Sequence, residues 1–418
     1  MESEITGKVG SLRDALNALD PERHLQTTGE LDRLFVARPD TPIHRLKILL
    51  ESTAEPQKIL FSGHRGSGKS TELSKLTEEL ADQFTVIRYS AQSILNPDDV
   101  TYVDVVLSIG LQLFETAAEI DAELDGELRA DVVKDVLQFT QDLTREVVTE
   151  SKSGVSGSGE LNFLVGKLSS KISTEDTTRT TIRQRVETRI SDLLETIHHL
   201  SKELERATER RILMIVEDLD KADLDTAKSL FHGHPRPLRE PSVSVIYTFP
   251  IALQYDDTYM QVRNNFHEIY LLPNIKTEER DGSPYESGIE MVEDIVRRRL
   301  EDDLIEPDAL NELALLSSGI PRELIALGRQ AALEAITEEK KSIDCDAVEA
   351  AAQRRRRDYD ILLSQEQRDL LADVRSTKDI DNRAPYRELL HNLSVLQYTN
   401  GDDPWYDVHP LARHLIPD

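Results

Sequence analysis

The sequence predicts an α/β protein: a parallel sheet carrying a helical insertion, followed by an all-α lid and a winged-helix-like C-terminal domain. Three observations carry this. Short apolar runs alternate with helix-spaced segments over residues 56–280, the pattern of a parallel sheet covered on both faces. Beyond that, over 281–357, apolar residues recur only at helical steps. The last stretch, 358–418, offers helices and then two short strand-like runs joined at Asn400-Gly401, a dipeptide suited to a tight hairpin turn.

Residues 11–50 read as short helices and turns, because the apolar residues of LRDALNALD and HRLKILLES return every three or four positions. They form an N-terminal helical segment, 1–55, leading into the core. The run KILFS (58–62), followed at once by Gly63, fits a buried parallel strand. From Ser70 onward Leu73, Leu76 and Leu80 keep helical spacing, so the order is strand, glycine loop, helix. FTVIRY (84–89), ILMIV (212–216), VSVIYT (243–248) and residues 267–272 supply four further strands. Between the second and third, about 91–210 reads as a helical insertion interrupted by SKSGVSGSGE, expected as a mobile loop, and by the apolar ELNFLVGKL. Ile182, Val186, Ile190, Leu193, Ile197, Leu200 and Leu204 make one apolar stripe there, read as core or hairpin packing rather than a partner surface. In the lid, Ile295, Leu304, Leu310, Leu313, Leu316, Leu324 and Leu327 supply the apolar faces. SQEQRDLLADV, YRELLHNLSVLQY and WYDVHPLARHL then build the last domain, with Trp405 and Tyr406 packing its wing.

Lysine and arginine total 50 against 78 aspartate and glutamate, a formal net charge of −28. Such a surface repels nucleic acid and anionic lipid, so nucleic-acid contact needs a local basic patch. The best one is Arg354-Arg355-Arg356-Arg357, expected at a helix end where cations favour the dipole. The lone Cys345 excludes a disulfide framework and a cysteine-rich zinc site. The start MESEITGKVG lacks the apolar core of a signal peptide, and no run approaches the ~20 apolar residues that span a bilayer, so a cytoplasmic protein without membrane contact is expected.

Gly63-His64-Arg65-Gly66-Ser67-Gly68-Lys69-Ser70 matches G-x-x-x-x-G-K-[ST] at every required position. This makes the sheet that of a P-loop NTPase and implies ATP and Mg²⁺. The glycines let backbone N–H groups converge on phosphate oxygens, and the following helix aims its positive end at them. Lys69 places a charge on the β- and γ-phosphates, and the Ser70 hydroxyl suits Mg²⁺. The nucleotide-binding set is these eight residues and Thr71. His64 and Arg65 are within reach of nucleotide or a subunit boundary, but variable positions of such loops mostly face solvent, and neither is given a catalytic role. The strand 212–216 runs into Glu217-Asp218-Leu219-Asp220; in this kind of site the first acid orients the metal and the second polarises the attacking water, which assigns Glu217 to Mg²⁺ and Asp218 to catalysis.

At these residues the chain resembles the AAA+ ATPases, and within them the origin-recognition and STAND-like branch, over roughly 30–418. The resemblance implies three further roles. Thr248, ending the fourth strand, matches the polar first sensor; Arg263, in QVRNNFHEIYLLP, matches the arginine finger that a neighbouring subunit supplies; Arg322, in SSGIPRELIAL, matches the lid's second sensor. Arg236 and Arg239 compete with Arg263, and an ordinary surface ion pair is the alternative for each. The family places Asp first and often Glu second where this chain has Glu217 then Asp218, which implies slow hydrolysis because positioning dominates phosphoryl transfer. GHRGSGKSTEL, FVARPD and TFPIAL resemble ATPases associated with defence against phages and mobile elements. The function expected is an ATP-dependent switch that works through a homo-oligomer and an effector protein. The alternatives are a DNA-binding initiator or loader, whose recognition helix near 385–396 carries only Arg387 and His391, and an ATP-binding subunit that never turns over. No Ser-His-Asp, zinc or nuclease constellation is visible.

Overall fold

A computed structural model describes residues 7–25, 27–95, 99–123, 128, 132, 134–136, 138–139 and 176–416. The Gly/Ser run and ELNFLVGKL lie outside the described residues. All five expected strands form: β1 (Lys58–Gly63), β2 (Phe84–Ser90), β3 (Arg211–Glu217), β4 (Ser244–Pro250) and β5 (Glu268–Leu271). They pair in parallel in the order β2-β3-β4-β1-β5, so β1 lies between β4 and β5 and not beside β2, the strand that follows it in sequence.

Side chains of β1, β3 and β4 are apolar on both faces, and the period of two sorts them. Leu60, Met214, Val216, Val245, Tyr247 and Phe249 enter one core, whereas Ile59, Phe61, Leu213, Ile215 and Ile246 enter the other. Burying each such side chain is worth about 1.5–3 kcal/mol. The insertion covers the first face: Tyr102–Glu123, Asp176–Thr188 and Ile190–Thr208 pack there, and the expected stripe from Ile182 to Leu204 is core. Ile43–Ser52 and Lys69–Leu80 cover the second.

The first helix, Leu12–Ala18, does not lead into the sheet. Leu12, Ala15, Ala18 and Leu19 join the lid core with Leu313, Leu327 and Ala332, and Val9 pairs with Leu300. The lid's helices are Glu286–Arg297, Pro307–Leu316, Pro321–Thr337 and Cys345–Leu362. The last of them continues past the four arginines, so those do not end a helix. Arg354 pairs with Glu334, Arg355 with Glu323 and Arg356 with Glu349, at 2.6, 2.7 and 2.6 Å.

Ser364 opens the next helix, Gln365–Thr377, with a capping box; Ala384–His391 follows, then the antiparallel pair β6 (Val395–Asn400) and β7 (Asp403–Val408), turning at Gly401. Tyr398 stacks on buried Trp405 at 4.6 Å, and Ala252, just beyond β4 of the sheet domain, completes the apolar cluster around Leu371, Leu389 and Val408. No helix among the described residues is long and apolar enough to cross a membrane.

Candidate nucleotide site

β1 delivers the chain to Gly63, and the loop that follows is shaped by its glycines. Gly66 and Gly68 take φ of +77° and +96°, where side chains are strained. Space is equally limiting: a Cβ on Gly66 would sit 2.8 Å from Cβ of Arg322, and one on Gly68 2.7 Å from Nη2 of Arg38. Two helices begin against the loop, Lys69–Leu80 directly and Pro321–Thr337 through the Arg322 N–H, which donates to Gly66 O at 3.2 Å. Their positive ends favour an anion there. The Ser67 hydroxyl is buried in the loop with no hydrogen-bond partner among the described residues, as suits a group waiting for a ligand oxygen.

The Lys69 ammonium is buried and folded back, donating to Gly63 O and His64 O at 2.9 Å each and meeting Asp220 Oδ2 at 2.8 Å. β3 ends on Glu217, and Asp218 turns the chain with φ +67° into a short 3₁₀ turn, Leu219–Lys221. That turn aims the three acids differently. Glu217 is held by Nε of Arg88 from β2, whose Nη2 also donates to Ser70 O at 2.9 Å. Asp218 accepts from the Ser90 hydroxyl at 2.6 Å and pairs with Lys221 at 2.7 Å. Asp220 alone meets the loop lysine. Thr248, buried at the end of β4, accepts the Leu219 N–H at 3.1 Å and hydrogen-bonds Asp220. Burial would raise the Asp220 carboxyl, but Lys69, Thr248 and Arg65 hold it below the ordinary carboxylate range.

One cleft is therefore lined by Lys69, Ser70, Thr71, Glu217, Asp218, Thr248 and Arg322 together. Phe35, Val36, Ile275 and Ile325 give it an apolar end. Arg263 is elsewhere: it lies on the exposed helix Tyr259–Asn265, 3.3 Å from Glu268. Arg236 is more exposed still and pairs with Glu240 at 2.8 Å.

The structure corrects the expectation that His64 and Arg65 face solvent. His64 is fully buried, and its Nε2 accepts the Gln397 N–H of β6 at 2.7 Å. Its imidazole points into the C-terminal module and does not line the cleft; only its carbonyl faces Lys69. Arg65 donates to Lys221 O at 2.9 Å and meets His391 Nε2 at 2.7 Å. Desolvation first, with Lys69 and His409 adding to it, lowers the His64 pKa to about 3. Burial likewise lowers His409 and His391 to about 4.

Three residues escaped sequence reasoning. Arg38 donates to Ser67 O at 2.5 Å and lies 3.7 Å from Glu72, bracing the loop; it stands in FVARPD, which gave resemblance but no role. Arg88 is a charge inside an otherwise strand-like run, a signal that was visible. Asp220 closes the acidic motif but was given no function.

The cradle that a Cβ would fill, the buried lysine and the unpartnered Ser67 hydroxyl fit a nucleotide phosphate chain. Ser70 and the acids are hard oxygen donors of the kind Mg²⁺ takes.

No curated protein matches this chain. Among solved structures it is similar to Cdc6p from Pyrobaculum aerophilum (12% identity, TM-score 0.40, 95% of each chain covered). It is also similar to the ORC2 protein of Aeropyrum pernix (11%, 0.42, 95% of each) and to the RuvB Holliday junction branch migration motor of Thermotoga maritima (12%, 0.36, 84% of this chain and 78% of that one). Residues 35–246, from the approach to β1 into β4, match the AAA ATPase domain model, and the chain belongs to that family of nucleotide-dependent ATPases.

Proposed function

We propose that this AAA ATPase is a switch: ATP binding and slow hydrolysis at the Gly63–Ser70 loop set the position of the C-terminal module, which controls assembly or a partner protein. One observation carries the reading. Two of the four variable residues of the phosphate loop, His64 and Arg65, touch the C-terminal module, through Gln397 and His391. A loop that moves to grip phosphates must move those contacts with it.

The roles follow from placement. Backbone amides of the loop and Lys69 hold the phosphates, Arg322 reports their presence to the lid, and Asp218 with Thr248 orients the attacking water. Ser70 and Glu217 would hold Mg²⁺, which would supply neutralisation of phosphate charge. Arg263, half-buried and paired with Glu268 across 3.3 Å, would serve a neighbouring copy as its finger. The likeness of GHRGSGKSTEL, FVARPD and TFPIAL to defence-associated ATPases supports a setting in defence against phages or mobile elements.

The DNA-loader reading is weaker on charge. Arg387 is turned inward onto Asp256 at 2.8 Å, and the helix that would read DNA, Ala384–His391, packs on the ATPase core. Three of the four clustered arginines are matched to glutamates. Stimulation of ATP hydrolysis by duplex DNA would favour the loader instead.

The coupling has a direct test. In His64→Ala/Arg65→Ala the Gln397 N–H loses its acceptor, a loss worth about 1–3 kcal/mol for a buried group. Hydrogen exchange at residues 384–400 should accelerate, and the difference in exchange there between ATP-bound and ADP-bound protein should disappear. Unchanged exchange with nucleotide sensitivity intact would contradict the coupling.

A further inference from the structure

We propose that Asp220 is a positioning residue that occupies Lys69 in place of phosphate and surrenders it to an incoming triphosphate, so that nucleotide affinity is set by a competition inside the site. The inference rests on the nucleotide reading of the loop and adds a residue and a mechanism to it.

An ammonium has three N–H donors, and on Lys69 all three are engaged: by Gly63 O, His64 O and Asp220 Oδ2. A phosphate oxygen can reach Lys69 only by displacing one acceptor. The two carbonyls are neutral and belong to the loop itself, whereas Asp220 is the one anion, so exchanging it for phosphate keeps the charge on Lys69 balanced. The other two acids are not equivalent, because each has a cation of its own: Arg88 on Glu217 and Lys221 on Asp218.

Asp220 is almost completely buried, so once released it cannot turn to bulk water. Thr248 already hydrogen-bonds it, and the Arg65 guanidinium lies 3.4 Å from its carbonyl oxygen. Arg65 also meets His391 of the C-terminal module. A carboxylate freed from Lys69 draws on the same arginine that ties the phosphate loop to that module, which makes Asp220 the step between phosphate binding and the switch.

The test is calorimetric titration of ATP and ADP into wild-type protein and Asp220→Asn. An apparent affinity is reduced by the fraction of molecules that are competent to bind, so removing the competitor should tighten ATP binding about 10-fold. ADP, with no γ-phosphate for Lys69, should gain less. Asp218→Asn removes the same charge from the same cleft without touching Lys69 and should give no comparable gain. A thermal-denaturation cycle reads the pair without any nucleotide: Lys69→Met should lower the melting temperature, and Lys69→Met/Asp220→Asn should recover part of the loss. ATP binding by the wild type with no gain in Asp220→Asn overturns the competition alone, as do melting shifts that simply add. Absence of ATP binding by the wild type overturns the nucleotide reading and the competition together.

Discussion

Asp218→Asn should slow ATP hydrolysis by about 10²–10⁴-fold, the range that a positioned general base contributes, while leaving ATP binding in place. Lys69→Ala should fail one step earlier. Losing a charge-assisted contact to phosphate, worth about 1.5–3 kcal/mol, weakens ATP binding roughly 10- to 100-fold. It also leaves Asp220 buried without its cation, so the variant should melt at lower temperature as well. Steady-state hydrolysis beside equilibrium binding separates the two variants. Asp218 lies at the mouth of the motif with a serine and a lysine around it, whereas Glu217 is tied to Arg88; this is why the second acid, and not the first, should carry the water. Hydrolysis by Asp218→Asn at the wild-type rate would move that role to a neighbouring acid.

Acidification should loosen the contact between the phosphate loop and the C-terminal module. The sign follows from the histidines. An unfolded histidine titrates near pH 6.5, while burial lowers folded His64 to about 3 and His409 to about 4. Between those values the unfolded chain binds the extra protons, so their stabilisation is complete above about pH 6.5 and is lost as pH falls toward 4. At pH 5 each of the two has forfeited on the order of 2 kcal/mol. His391, less buried, adds in the same direction. A protonated His64 also cannot accept the Gln397 N–H. Chemical denaturation at pH 7 and pH 5 should therefore show a clear loss of stability, with roughly a third of it absent in His64→Gln. Equal stability at both values would contradict the burial of these rings.

What could be read in the sequence divides along physical lines. The three central strands β1, β3 and β4 were legible because a parallel strand buried on both faces must be a nearly uninterrupted apolar run, as ILMIV is. The phosphate loop was legible because its required Gly68 sits at φ +96° with Arg38 packed where a Cβ would stand. Asp220 was not: which acid meets Lys69 depends on the left-handed turn at Asp218, and an acidic run carries no mark of it. His64 was misread because the surface that buries it arrives from β6, more than three hundred residues later. Leu12–Ala18 shows the same limit, since its apolar face fits the lid as well as it fits a sheet. Arg263, read from the sequence as an arginine finger, is half-buried beside Glu268 in a single chain, and a finger acts only across a boundary between two copies.

Hydrogen exchange of the wild-type protein with and without ATP in magnesium buffer tests the central claim most directly. Slowed exchange should concentrate at the backbone amides of residues 64–71, with a smaller effect at the start of the helix Pro321–Thr337. No ATP-dependent protection in that loop, at nucleotide concentrations that saturate any binding found, would contradict the account.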